Sequence, residues 1–174
     1  MNPKDKYLAE AVLRHLLLGA RMDGIKFGSK LQLLIQKSDR VLLRGQIHLT
    51  LESSWALSSA VSGNHSTQEE DIPALSIEEE LKILCGLREQ IIVDVQLGDL
   101  HPHLMLTLAS GDIFFLNGKH DLYECWQVGV SMGRPDECWR VVSCPGGDIA
   151  IWVPQKFIDV TLMSKRSEAS LMLL

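Results

Sequence analysis

The order of helix-forming and strand-forming segments repeats once along the chain, and this repeat restricts the possible folds more than any other feature. An N-cap residue, Asn2, precedes apolar residues at helical spacing that continue to Gly19. Ser76 and Glu79 have the spacing of a capping box, and a second helical pattern follows as far as Gly86. The sequence predicts two helices that each end at a glycine, because glycine adopts the left-handed conformation at little cost.

The segments after the two glycines also match. An arginine follows two residues after Gly19 and two residues after Gly86, which aligns the two copies at this point. Alternating apolar residues then predict a half-buried strand over 31–35 in the first copy and over 104–108 in the second. In this alignment the second copy carries a six-residue insertion at 98–103, before its strand.

A turn and a second strand are predicted next in each copy, with the strands over 41–43 and 113–116. Beyond the second copy, the strand-like runs 138–142 and 148–153 flank a Cys-Pro-Gly-Gly segment at 144–147. Proline and glycine in this order are typical of a tight turn, so the sequence predicts a final β-hairpin.

These patterns predict an α+β fold of two diverged helix-plus-antiparallel-strand units, the second extended by a C-terminal hairpin. The first unit spans 1–57, and the second, with its extra hairpin, spans 75–153. The polar stretch between them lacks apolar periodicity and predicts a flexible linker over 58–74. The remaining residues, 154–174, are a C-terminal tail.

Composition and charge exclude several functional classes. The chain has 174 residues, 46% of them hydrophobic, and a net charge of -5, without a run of lysine and arginine for nucleic-acid phosphates. Its apolar stretches are much shorter than the roughly 20 residues of a membrane helix. We expect a cytoplasmic protein without a signal peptide, and its four cysteines, which lack C-x-x-C spacing, are expected to be reduced thiols.

The segment around His101 and His103 is the strongest local candidate for chemistry. Alternate residues of an extended segment face the same side, so the two imidazoles could bind one metal ion, with Asp99 two residues before them. Zinc sites usually have three or four protein ligands at definite spacing, and the sequence supplies no second motif to complete the set. We therefore predict a polar loop and no bound metal or other cofactor.

A glutamate shortly before a tryptophan recurs in both copies, as Glu52 with Trp55 and Glu124 with Trp126. The recurrence is compatible with a repeated ligand site, or with a repeated core tryptophan beside an exposed glutamate. The second interpretation is favoured because large aromatic side chains dominate core burial. The candidate partner-binding residues are accordingly the acidic and histidine side chains Glu52, Asp99, His101, His103 and Glu124.

The segment from Leu104 to Val128 resembles small bacterial β-rich proteins, some of which are immunity proteins encoded beside toxins. The shared features are an alternating strand, a Ser-Gly-Asp turn, an aromatic strand, Asn117-Gly118 and Glu124-Cys125-Trp126. The resemblance covers one unit directly and the first unit through the repeat. Its motifs are structural, so it assigns no functional residue. It implies a bacterial cytoplasmic protein that acts by binding.

Three functional hypotheses follow. The first is a non-enzymatic protein-binding protein, such as an immunity protein or an accessory subunit of a defence or secretion assembly. Its partner would be a basic toxin or another subunit, because opposite charges steer association. The second is a small metal-dependent enzyme or ligand-binding protein that uses the His101 and His103 loop. The third is a self-assembling structural protein that forms homo-oligomers.

Overall fold

The computed structural model describes residues 1–38, 45–59, 72–130 and 137–161. It has an α+β fold whose strands pair in an antiparallel manner, which confirms the predicted fold class. The strand predicted over 41–43 lies outside the described residues, as do most of the predicted linker and most of the predicted tail.

In the described residues, four strands follow the first helix, and six strands follow the second helix and precede the third. The helices are α1 (Pro3–Leu17), α2 (Ile77–Gly86) and α3 (155–161). The strands are β1 (Arg21–Lys26), β2 (Leu31–Gln36), β3 (Ile47–Leu51), β4 (Trp55–Ser58), β5 (Ile92–Leu97), β6 (Leu104–Leu108), β7 (Ile113–Leu116), β8 (Trp126–Val130), β9 (Arg140–Cys144) and β10 (Asp148–Trp152). Within this part of the chain, no helix has the length and apolar character needed to cross a membrane.

Side-chain caps begin both long helices. The side chain of Asn2 accepts a hydrogen bond from the Lys4 N–H at 2.9 Å. Ser76 and Glu79 form a complete capping box, in which each side chain bonds the backbone of the other residue. The two helices differ in packing, because α1 has five buried residues whereas α2 buries only Leu84.

The strands form two sheets, and each sheet contains strands from both predicted units. The six-stranded sheet has the order β1-β2-β3-β8-β9-β10, and the four-stranded sheet has the order β4-β7-β6-β5. Strands β1 to β3 form one three-stranded meander, and strands β5 to β7 form another. The strand that follows each meander pairs with the meander of the other unit. β8 pairs with β3, and β4 pairs with β7.

The two exchanged strands join their sheets in the same register. Two equivalent cross-strand rows mark these junctions: Leu31, Leu51 and Trp126 in the six-stranded sheet, and Leu104, Leu116 and Trp55 in the four-stranded sheet. All six side chains point toward the interior or its margin, and one hydrophobic cluster contains residues of both sheets and both long helices. The exchange therefore encloses a single core.

The connections from helix to strand match at Gly19 and Glu89, and not at Gly19 and Gly86 as the sequence alignment predicts. Gly19 and Glu89 both have a positive φ, at 74° and 68°. Gly19 donates its N–H to the Ile92 carbonyl, and Glu89 donates its N–H to the Met22 carbonyl, both at 2.8 Å. The left-handed residue of the second copy is a glutamate, so the glycine pattern misplaced it by three residues.

The strands β1 and β5 are absent from the sequence prediction because each contains a β-bulge. The register shifts between Met22 and Gly24 in β1 and between Ile92 and Asp94 in β5. A bulge interrupts the alternation of buried and exposed residues on which strand prediction depends. With the corrected match, the insertion predicted at 98–103 shortens from six residues to three.

Candidate functional site

A cleft of about 730 Å³ lies where the chain passes between the two sheets. Its walls are the β3–β4 connection at 52–54 and the segment 117–124 between β7 and β8, together with Lys30 and Pro145. We call this depression the crossover cleft. It contains two of the predicted site residues, Glu52 and Glu124.

Backbone hydrogen bonds hold the two connections of the crossover cleft together. Glu52 donates its N–H to the Cys125 carbonyl, and Asn117 donates its N–H to the Ser54 carbonyl, both at 3.0 Å. The Ser53 hydroxyl also donates to the Asn117 carbonyl at 2.6 Å. These bonds span more than 60 residues of sequence, so the floor of the cleft depends on the strand exchange.

The side chain of Gln127 joins the two predicted glutamates. Its Nε2 group donates to Glu52 Oε1 at 2.8 Å and to Glu124 Oε2 at 2.6 Å. Lys30 Nζ lies 3.2 Å from the other oxygen of Glu52, whose side chain is only 13% exposed. Glu52 is thus largely covered, contrary to the exposed position predicted for it, whereas Glu124 is exposed and faces solvent at the rim.

The rim of the crossover cleft displays two large apolar side chains, Leu122 and Tyr123, which are 74% and 67% exposed. His120 Nδ1 accepts the backbone N–H groups of both residues at 3.1 Å. The His120 carbonyl accepts the Gly146 N–H at 2.9 Å, which attaches this loop to the β9–β10 turn. The loop is therefore held in one shape while its apolar side chains point outward.

Close backbone packing supports this loop from behind. The carbonyl of Pro102 accepts the indole N–H of the fully buried Trp126 at 2.8 Å. A Cβ atom at Gly118 would lie 2.0 Å from the same carbonyl oxygen, so only glycine fits there. Ser143 donates its hydroxyl to the Gly118 carbonyl at 3.1 Å, which adds a contact from β9.

Acidic residues flank the apolar pair. Asp121 and Glu124 are exposed on either side of this pair. The cleft lining also contains Glu52 and two lysines, Lys30 and Lys119, and Lys30 is paired with Glu52. A protein surface that combines exposed apolar groups with carboxylates fits a partner with apolar and basic side chains.

Cys144, which precedes the cleft residue Pro145, has a raised pKa. Burial raises its pKa above the ordinary value, and the nearby carboxylate of Glu124 raises it further. A thiol with a raised pKa is a poor nucleophile near neutral pH, because the thiolate is the reactive form. All four cysteines lie within the described residues, and none of them forms a disulfide.

The other three predicted site residues lie outside the crossover cleft, on the β5–β6 connection. Asp99 forms an ion pair with Lys6 of α1, and hydrogen bonding to that lysine lowers the pKa of the carboxyl. The Nδ1 atom of His103 accepts the Gly118 N–H at 3.0 Å, behind the cleft wall. His101 packs edge-on against His103, with ring centroids 5.7 Å apart.

The two predicted histidines make packing contacts in this arrangement. In the ranges that the structure describes, no group of three or more His, Cys, Asp and Glu side chains has an arrangement suited to a metal ion. His103 also packs on Phe115, with ring centroids 5.3 Å apart. Its ring contributes to the wall that supports the crossover cleft.

The chain matches no protein-family model, no curated protein and no solved structure. Any functional assignment must therefore rest on the geometry of its own residues.

The sequence pattern did not identify the residues that shape the rim, His120, Leu122, Tyr123 and Gln127. A signal was present in the apolar pair between Asp121 and Glu124, which lies in a non-strand segment rich in polar residues. This apolar pair has no helical or strand periodicity, because local hydrogen bonds position the side chains of a loop.

Proposed function

We propose that this protein is a non-enzymatic protein-binding protein and that the crossover cleft is its partner-binding site. The observation that carries this proposal is the outward position of Leu122 and Tyr123, enforced by two hydrogen bonds to His120. Large apolar side chains fixed in solvent cost solvation free energy, which partner binding recovers. Tyrosine is also enriched among the residues that contribute most to binding energy.

The proposed partner is a basic protein segment. The exposed carboxylates of Asp121 and Glu124 beside the apolar pair favour cationic side chains, and the net charge of -5 steers a basic protein toward the surface. A bacterial immunity protein that binds a toxin, or an accessory subunit of a defence or secretion assembly, would act in this manner. The four cysteines form no disulfide, which supports a reducing cytoplasmic setting for this activity.

The test is capture of a partner by the full chain in its native host, with a matched pair of variants. Leu122 and Ile77 are 74% and 76% exposed, but only Leu122 lies at the cleft. We expect the wild-type protein and Ile77→Asp to retain a stoichiometric partner, whereas Leu122→Asp loses it. Light scattering after gel filtration gives the stoichiometry and separates a foreign partner from a second copy of the chain.

Two results would contradict the proposal. One is purification of the chain without any stoichiometric protein. The other is equal loss of the partner in Leu122→Asp and Ile77→Asp, which would place the interface elsewhere.

A further inference from the structure

A second polar depression, of about 330 Å³, lies on the outward face of the six-stranded sheet. His48 of β3 is opposite Gly129 of β8, and Gly129 is opposite Arg140 of β9. A Cβ atom at Gly129 would lie 3.4 Å from His48 Nε2, so the missing side chain leaves space on the face where the imidazole lies. The depression therefore opens between a histidine and an arginine.

Cationic side chains surround this space. Lys26 and Arg140 line it and form no ion pair with a carboxylate in the described part of the chain, whereas Lys30 is paired with Glu52. Burial lowers the pKa of His48, and the positive charges of Arg140 and Lys26 lower it further. Glu52 also lines the depression, so three cations against one carboxylate leave the local charge positive on a chain whose net charge is -5.

Neutral donors complete the floor of the depression. Thr50 lies between Gln32 and Gln127 in the adjacent cross-strand row. The Thr50 hydroxyl oxygen accepts a hydrogen bond from Gln32 Nε2 at 3.2 Å, which leaves its own hydroxyl proton available for donation. An arginine, a lysine and a hydroxyl thus line one space beside the His48 ring, which itself hydrogen-bonds the Gln46 backbone.

We infer that this depression binds an oxyanion, either a carboxylate or a phosphate group. Guanidinium groups bind both anions through two parallel hydrogen bonds, and a lysine adds a point charge. An anion here would pair with Lys26 and Arg140 and leave the existing Lys30–Glu52 ion pair in place. Lys30 and Glu52 line both this depression and the crossover cleft, but Lys26, His48 and Arg140 line only this one, so their variants test the inference separately.

The experiment is an NMR titration of the full chain with inorganic phosphate, and separately with acetate, at constant ionic strength. We expect saturable shifts of the His48 ring and of the Gly129 and Arg140 amides. The anion that saturates at the lower concentration identifies the source. Arg140→Gln and Lys26→Gln should each weaken binding by at least tenfold.

The matched control is Arg88→Gln, because Arg88 is also an exposed arginine but lies outside the depression. It should leave the titration unchanged. Shifts that do not saturate, or equal weakening by Arg88→Gln and Arg140→Gln, would show general charge screening and overturn the inference. Partner binding at the crossover cleft would stand or fall separately, by the capture experiment.

Discussion

Two depressions of this molecule each display an exposed aromatic side chain, but they are built differently. The crossover cleft presents Tyr123, which is 67% exposed. Another depression, of about 500 Å³ and distinct from the anion-binding depression described above, lies between β1 and the end of α2. Phe27, at its margin, is 68% exposed. We call this depression the α2 groove. Its lining is mainly apolar, whereas the crossover cleft combines apolar and charged side chains.

The difference lies in how firmly each wall is held. Hydrogen bonds from three chain segments fix the rim of the crossover cleft. In contrast, among the described residues no side-chain hydrogen bond or ion pair joins helix α2 itself to β1; the ion pair to β1 on this side is Arg21–Glu89, three residues after the helix ends. Tyr123 and Phe27 are therefore equally exposed, but the wall that carries Tyr123 is held by more hydrogen bonds. We expect binding energy to reside at the ordered cleft, because a preformed site loses less conformational entropy on association.

Side-chain hydrogen bonds join helix α1 to β5. Arg14 of α1 donates to the Asp94 carboxylate at 2.6 Å and to the Val95 carbonyl at 2.8 Å. The Glu10 carboxylate accepts the Leu97 N–H at 2.9 Å. These bonds connect α1 to β5, the strand equivalent to β1. Side chains of α1 itself thus bond β5, whereas among the described residues the corresponding bonds to β1 come from Glu89, in the segment after α2.

The largest effect should come from adding one methyl group behind the crossover cleft. We predict that Gly118→Ala destabilises the protein by about 3 kcal/mol or more, because the new Cβ atom meets the Pro102 backbone, which cannot move as a side-chain end could. The same substitution in the α2 groove, Gly24→Ala, has no atom within 4 Å and should change stability by less than about 0.5 kcal/mol.

Urea unfolding of both glycine variants measures this contrast. If Gly118→Ala were as stable as Gly24→Ala, the close contact between the cleft wall and the Pro102 segment would be absent in solution.

A smaller, local effect is predicted at His120. Replacing it with alanine removes the acceptor for two backbone N–H groups, each hydrogen bond contributing about 1 kcal/mol. We expect amide exchange at Leu122 and Tyr123 to accelerate at least tenfold in His120→Ala, with little change in exchange of the α1 amides. His120→Asn keeps a side-chain acceptor and should restore part of the protection; equal protection in all three proteins would refute the predicted role of the imidazole.

The cap of α2 should have an effect of about 1 kcal/mol. Ser76→Ala removes the side chain that accepts the Glu79 N–H and should destabilise the protein by about this amount. Helix α2 buries one residue, and among the described residues no side-chain bond joins it to β1. Its amides should therefore exchange faster than those of α1 in the wild-type protein, and faster still in the variant. Hydrogen exchange that protects α2 as well as α1 would remove the proposed difference between the two depressions.

The smallest predicted effect is a pH dependence at α1. The His15 ring stacks on Trp139 at 4.9 Å and packs on Phe157 at 5.1 Å. Burial lowers the pKa of His15, and the Lys37 charge lowers it further. Since the unfolded state then binds a proton more readily, the stability from neutral His15 is present above the ordinary pKa of 6.5 and is lost as pH falls below it.

Unfolding measured at about pH 7.5 and pH 5.5 tests this sign. His48 has a pKa lowered in the same direction, so His15→Gln should reduce the loss on acidification without abolishing it. A larger loss in His15→Gln than in the wild-type protein would contradict the assignment.

Local patterns in the sequence predicted the strands β6 and β7 and the start of both long helices, because alternation and capping residues act over a few positions. The bulges at Met22 and Ile92 hid β1 and β5. The strand exchange could not be predicted, since it depends on pairing between residues such as Leu51 and Trp126 that are distant in sequence. That pairing is also what brings the predicted residues Glu52 and Glu124 into one site.

The most direct test of partner binding at the crossover cleft compares the two exposed aromatic residues. Isothermal titration calorimetry, with the captured partner titrated into the wild-type protein, Tyr123→Ser and Phe27→Ser, gives the dissociation constant of the partner for each protein. We predict that Tyr123→Ser weakens binding by at least tenfold, equivalent to about 1.4 kcal/mol, while Phe27→Ser binds like the wild-type protein. Weaker binding of Phe27→Ser with unchanged binding of Tyr123→Ser would place the interface at the α2 groove and contradict the account.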